Sequence, residues 1–79
     1  MNNTDRDFVR TIKEVIVRRG EDLTKPVVLS NRTFLASIRN FYGYGTHDSV
    51  AKKARHLASE GLIVPNGVDF VLTEKAKSL

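Results

Sequence analysis

The sequence predicts a small α+β domain in which three helices precede a two-stranded β-hairpin. Apolar residues recur at helical spacing in three separate stretches. Asn66-Gly67 stands between two short apolar runs, the strongest local signal for a hairpin. A length of 79 residues holds one core, so a single domain spanning 1–79 is expected.

The first helix is expected over 5–19. Thr4-Asp5-Arg6-Asp7 has the form of a capping box with Thr4 as N-cap. Phe8, Val9, Ile12, Val15 and Ile16 make one apolar stripe, with Val17 off it. Arg18 and Arg19 suit the negative end of the helix dipole, and Gly20 suits the residue after the cap. Pro26 holds Lys25 extended, and Val27-Val28-Leu29 is short and β-branched, which predicts a strand over 27–29.

Ser30 or Asn31 can open a second helix over 31–42, with Phe34, Leu35, Ile38 and Phe41 as its apolar face. Gly43 to Thr46 is a turn. The third helix, over 47–60, is capped by Thr46, turns Val50, Ala54, Leu57 and Ala58 inward, and is closed by Gly61. A hairpin over 62–72 follows, with Val68, Phe70 and Leu72 on one face, and Thr73 caps a short helical turn over 74–79.

Composition narrows the function. Apolar residues form 41% and charged residues 28% of the chain, which is too apolar for a disordered tail. Cysteine is absent, so disulfides, thiolate metal sites and cysteine nucleophiles are excluded. No apolar run approaches the ~20 residues that span a bilayer. No secretory signal opens the chain, and a cytoplasmic location without membrane association is expected. His47 and His56 are nine residues apart and do not share a helix face, so no metal site is expected. No nucleophile elbow, phosphate-binding loop or dinucleotide fingerprint is present, and a domain this small rarely holds a substrate pocket of ~300 Å³. The expectation is a protein that is not an enzyme and takes no cofactor or small-molecule ligand.

Charge is more informative. Thirteen basic and nine acidic residues give +4. Arg32, Arg39, Lys52, Lys53 and Arg55 stand against Asp48 alone, and the other eight basic and eight acidic residues cancel. An excess confined to one segment is the footprint of a polyanion-binding face, although a solvated basic surface has the same composition. On a helical wheel Lys52 lies opposite the inward stripe of the third helix, flanked by Asp48, Ser49, Arg55, His56 and Ser59. Candidate nucleic-acid contacts are therefore His47, Ser49, Lys52, Lys53, Arg55 and His56. Arg32 and Arg39 on the second helix would touch phosphates, and Asn66 would reach a phosphate from the hairpin turn. Tyr42 and Tyr44, on either side of Gly43, read as the edge of the core.

The run from Ser49 to Val64, SVAKKARHLASEGLIV, resembles the recognition helix and first wing strand of winged helix-turn-helix regulators of the MarR and ArsR kind. In these an apolar residue opens the helix, a leucine follows seven positions later, and Gly-Leu-Ile lies just beyond. Val71-Leu72-Thr73-Glu74-Lys75-Ala76 is similar to the Leu-Thr-Glu segment that closes many such wings. The likeness covers nearly the whole chain. It implies a sequence-reading third helix, a DNA-touching hairpin and a small transcriptional regulator acting by operator occupancy on double-stranded DNA. RNA or ribosome association and a protein–protein adaptor role are the alternatives. The segment from Leu35 to Val50 is longer than in compact members, and no Lys or Arg lies between Leu62 and Thr73. A homodimer, where one forms, is expected to use the first helix through an edge at Val9 and Val17.

Overall fold

Asn2, not Thr4, starts the first helix. In the computed structural model, which describes residues 1–79, α1 spans Asn3–Arg18, and the Asn2 side chain accepts a hydrogen bond from the Asp5 amide at 2.7 Å. The expected capping box of Thr4 and Asp7 does not form, because the helix begins at Asn3 and leaves Thr4 inside its first turn. Phe8, Val9, Ile12 and Ile16 are buried, whereas Val15, at the margin of the stripe, is 40% exposed. Gly20 follows the C-cap with φ of 81°, a conformation that costs glycine little.

Strand β1 is Val28–Leu29, one residue shorter than expected. Val27 is buried, and its carbonyl accepts from the Leu72 amide at 3.1 Å. Helix α2 is Asn31–Tyr42 and ends at Gly43 in the left-handed region. Its N-terminus is held twice: Ser30 Oγ accepts from the Thr33 amide at 3.3 Å, and Asp69 Oδ1 accepts from the Asn31 amide at 3.0 Å. Phe34 and Ile38 are buried, but Leu35 is half-buried and Phe41 lies at the surface. Helix α3 is His47–Ser59, with Thr46 as N-cap and Glu60 as C-cap. Four residues, Gly43 to Thr46, connect α2 to α3.

Strands β2 (Ile63–Asn66) and β3 (Asp69–Leu72) pair antiparallel, with Asn66 opposite Asp69. The two turn residues are thus Gly67 and Val68, one position later than the Asn-Gly signal implies. Gly67 has φ of 64° and Val68 has negative φ, which fits a turn needing glycine only at its first central position. Val68 is therefore 78% exposed and does not share the face of Phe70 and Leu72. β1 adds to the hairpin, giving a three-stranded antiparallel sheet of order β1-β3-β2. Val28, Val71 and Val64 stand in register across its outer face, and Leu29, Phe70 and Pro65 across its inner face. Helix α4, Glu74–Lys77, is capped by Thr73, whose hydroxyl also donates to the Gly61 carbonyl at 2.7 Å.

The core is one cluster joining all three long helices to the sheet, with Phe8, Phe34, Ile38, Val50, Leu57 and Leu62 nearly sealed from water. Phe34 links it to the hairpin through Phe70, with ring centroids 4.8 Å apart. The protein is α+β, and no helix is long and apolar enough to cross a membrane.

Candidate nucleic-acid interface

Helix α3 presents three different faces. Val50, Ala54 and Leu57 are buried against the core, where the small Ala54 lets the helix sit close to its neighbours. His47, Ala51 and Arg55 recur every four residues and line a cleft of about 350 Å³. Leu35 of α2 and Pro65 and Phe70 of the hairpin form the other walls. Lys52 projects away from the core and is exposed.

Helix α2 contributes a matching stripe. Arg32, Leu35 and Arg39 follow the spacing that places residues on one side of a helix. Leu35 lines the cleft, so both arginines belong to the side of α2 that faces α3. Arg32, Arg39, Lys52 and Arg55 are all exposed, and none forms an ion pair within the chain. Asp48 is the exposed acidic residue of α3. The Asn31 amide already donates to Asp69 and the Thr33 amide to Ser30, so two of the donors at the start of α2 are spent within the chain.

Lys53 and His56 lie elsewhere. They occupy the opposite flank of α3, against the start of α1, where Asp5 is fully buried. Lys53 Nζ donates to Asp5 Oδ1 at 2.6 Å, and the Tyr42 hydroxyl donates to the same oxygen at 2.7 Å. The Lys53 amine also sits 4.5 Å from the centre of the Tyr42 ring, which stacks on Tyr44 at 5.5 Å. His56 Nε2 lies 3.5 Å from Asp5 Oδ2 and 3.4 Å from Glu60 Oε1. Asp5 Oδ2 makes no hydrogen bond.

This node joins α1, α2 and α3. Burial pushes the Asp5 carboxyl up, but the hydrogen bonds from Lys53 and Tyr42 and the charges of Lys53 and His56 outweigh it and hold Asp5 below the ordinary carboxylate range. Burial, the bond to Asp5 and its negative charge push the Tyr42 hydroxyl well above its usual value. Tyr42 is thus a structural member of the core edge, as its position beside Gly43 implies.

The nine expected contacts therefore divide. Arg32, Arg39, His47, Lys52 and Arg55 lie along α2 and α3 on the cleft and its outer rim. Asn66 is exposed at the hairpin turn. Lys53 is withdrawn into the pair with Asp5, with only 13% of its side chain exposed, and His56 faces the same carboxylate. Ser49 is half-buried and spent on the helix start: its amide donates to Thr46 Oγ1 at 3.1 Å, and its Oγ accepts from the Thr46 hydroxyl at 2.8 Å. Sequence spacing carried a signal for both surprises. Asp5 falls on the stripe of Phe8, Ile12 and Ile16, and Lys53 on that of Val50 and Leu57.

The structure also corrects the expected dimer edge. Val9 is buried in the core and offers no surface, whereas Val17 is 56% exposed. No group of histidine and carboxylate side chains is arranged to hold a metal ion. No protein-family model matches the sequence, and neither curated proteins nor solved structures give a significant match.

Proposed function

We propose that the chain is a winged helix-turn-helix protein that binds double-stranded DNA, acting as a small transcriptional regulator by occupying its operator. One observation carries this reading: four exposed cations, Arg32, Arg39, Lys52 and Arg55, stand unpaired on two adjoining helices. Arg6, Arg10, Arg19 and Lys25 are likewise unpaired, but they are interspersed with Asp7, Glu14, Glu21 and Asp22, whereas Asp48 is the one acidic residue on α2 and α3. The order helix, strand, helix, helix, hairpin, with β1 added to the hairpin, supports it.

Helix α3 enters the major groove. Lys52, Arg32 and Arg39 neutralise phosphates and set the register. Arg55 and His47, at the cleft, reach base edges, where an arginine can pair with guanine through two bonds. Asn66 offers a neutral donor to the backbone. Lys53 and His56 hold α3 against α1 instead of touching DNA. No step of catalysis is involved.

Three neutralised phosphates predict a slope of about −2.7 in log affinity against log salt on duplex DNA. Fluorescence anisotropy with a labelled random duplex at several salt concentrations measures it, with structured RNA as competitor. A slope near that value and duplex preference support the proposal. Preference for RNA would replace it with RNA association. Absence of affinity for either polymer at low salt would leave the protein-adaptor reading.

A further inference from the structure

We infer that the cleft between α2, α3 and the hairpin is a pocket for one unpaired base of a DNA strand, so that the preferred ligand is a duplex carrying an extrahelical base. This rests on the duplex reading and goes one step beyond it. A paired base offers only its edge in a groove, whereas an unpaired base can leave the stack and bring its faces as well.

The walls of the cleft suit such a face. Leu35 of α2, Ala51, Ala54 and Ala58 of α3, and Pro65 and Phe70 of the hairpin bound about 350 Å³. That is the small end of ligand pockets, which run from ~300 to ~1,000 Å³. The three alanines leave open the space that longer side chains at the same positions would fill. Phe70 supplies an aromatic ring, held in place by Phe34 at 4.8 Å between centroids. A ring already fixed loses little freedom when a base stacks on it.

The polar groups suit the remainder of a nucleotide. Asn31, His47 and Arg55 are exposed at the cleft, and no carboxylate lines it. Arg55 forms no ion pair within the chain. The backbone amide of Asn31 is spent on Asp69, but its side chain is free and keeps both donors and an acceptor for a base edge. Arg32 and Arg39, on the same side of α2 as Leu35, stand beside the cleft for the flanking phosphates. A polyanion without planar groups would use these cations and leave the apolar walls wet.

Fluorescence anisotropy of the full chain tests this with three labelled duplexes of one sequence at one salt concentration: fully paired, with one bulged adenine, and with an abasic residue in the bulge. The abasic bulge keeps the extra phosphate and the bend but lacks the ring. The adenine bulge is expected to bind roughly 5–150-fold tighter than the abasic one, the worth of one base stacked on an aromatic side chain. Ala51→Leu, which fills the cleft with another strong helix former, should bring the adenine bulge down to the abasic level with helical content by circular dichroism unchanged. Equal affinity for all three duplexes would overturn the inference and leave the duplex reading standing, whereas no affinity for any of them at low salt would overturn both. An advantage shared by the two bulges would trace to bending and overturn the pocket, as would an advantage that survives in a folded Ala51→Leu chain. Displacement of the adenine bulge by polyglutamate as readily as by the unlabelled bulge would give the cleft to an acidic peptide instead.

Discussion

Replacing Asp5 with alanine removes the acceptor on which three elements converge. The Lys53 amine, 2.6 Å away, and the Tyr42 hydroxyl, 2.7 Å away, lose their shared partner in one step. Breaking a buried ion pair from one side costs about 3–5 kcal/mol, and the 13% exposure of Lys53 places the expected cost near the lower end, about 3 kcal/mol. A chain of this length has roughly 4–12 kcal/mol of total stability. The loss should lower the thermal midpoint by roughly 12–24 °C. Urea and thermal unfolding followed by circular dichroism measure it. The pH dependence is a second readout. Because the folded-state carboxyl is held below its unfolded value of about 3.9, its contribution is present above that pH and is lost as pH falls through the folded value. Wild-type stability should therefore fall more steeply below about pH 4 than that of Asp5→Ala. A cost under ~1 kcal/mol, the level of a single ordinary hydrogen bond, or identical acid slopes would refute the role of Asp5 as the charged tie between α1 and α3.

Adjacent lysines should behave oppositely. Lys52→Ala should leave stability within ~0.5 kcal/mol and flatten the salt slope of duplex binding by about one unit. Lys53→Ala should leave that slope unchanged and lower the urea midpoint, because Asp5 loses its counter-charge. Tyr42→Phe should cost about 1.5–3 kcal/mol in urea unfolding, the range for a hydrogen bond to a charged group. Leu57→Ala, which empties a site sealed between α3 and the core, should cost roughly 2–5 kcal/mol by the same measurement.

What the sequence disclosed was mainly local chemistry. Ser30, Gly43, Thr46 and Gly61 mark where α2 and α3 begin and end, because caps act within a few residues of the groups they satisfy. Val50, Ala54 and Leu57 were legible as the inward stripe from periodicity alone. The pairing of Val28 with Val71 was not, since it joins residues far apart in the chain and two residues carry no alternation to read. The hairpin turn moved by one residue because Gly67 alone supplies the positive φ that the turn needs. The candidate site was half legible. Composition located the basic segment, but dividing its cations between solvent and core required Asp5, whose partner Lys53 is distant in sequence.

The sheet borders also bear on how the chain behaves when crowded. One outer strand, β1, has only two residues, and the other, β2, carries Pro65 in its middle, which has no amide hydrogen to give to an incoming strand. The valines on the outer face thus lie between two borders that resist templated extension. Fibrillar stacking, the usual hazard of an uncovered apolar sheet, is blocked at the backbone before side chains can contribute to it.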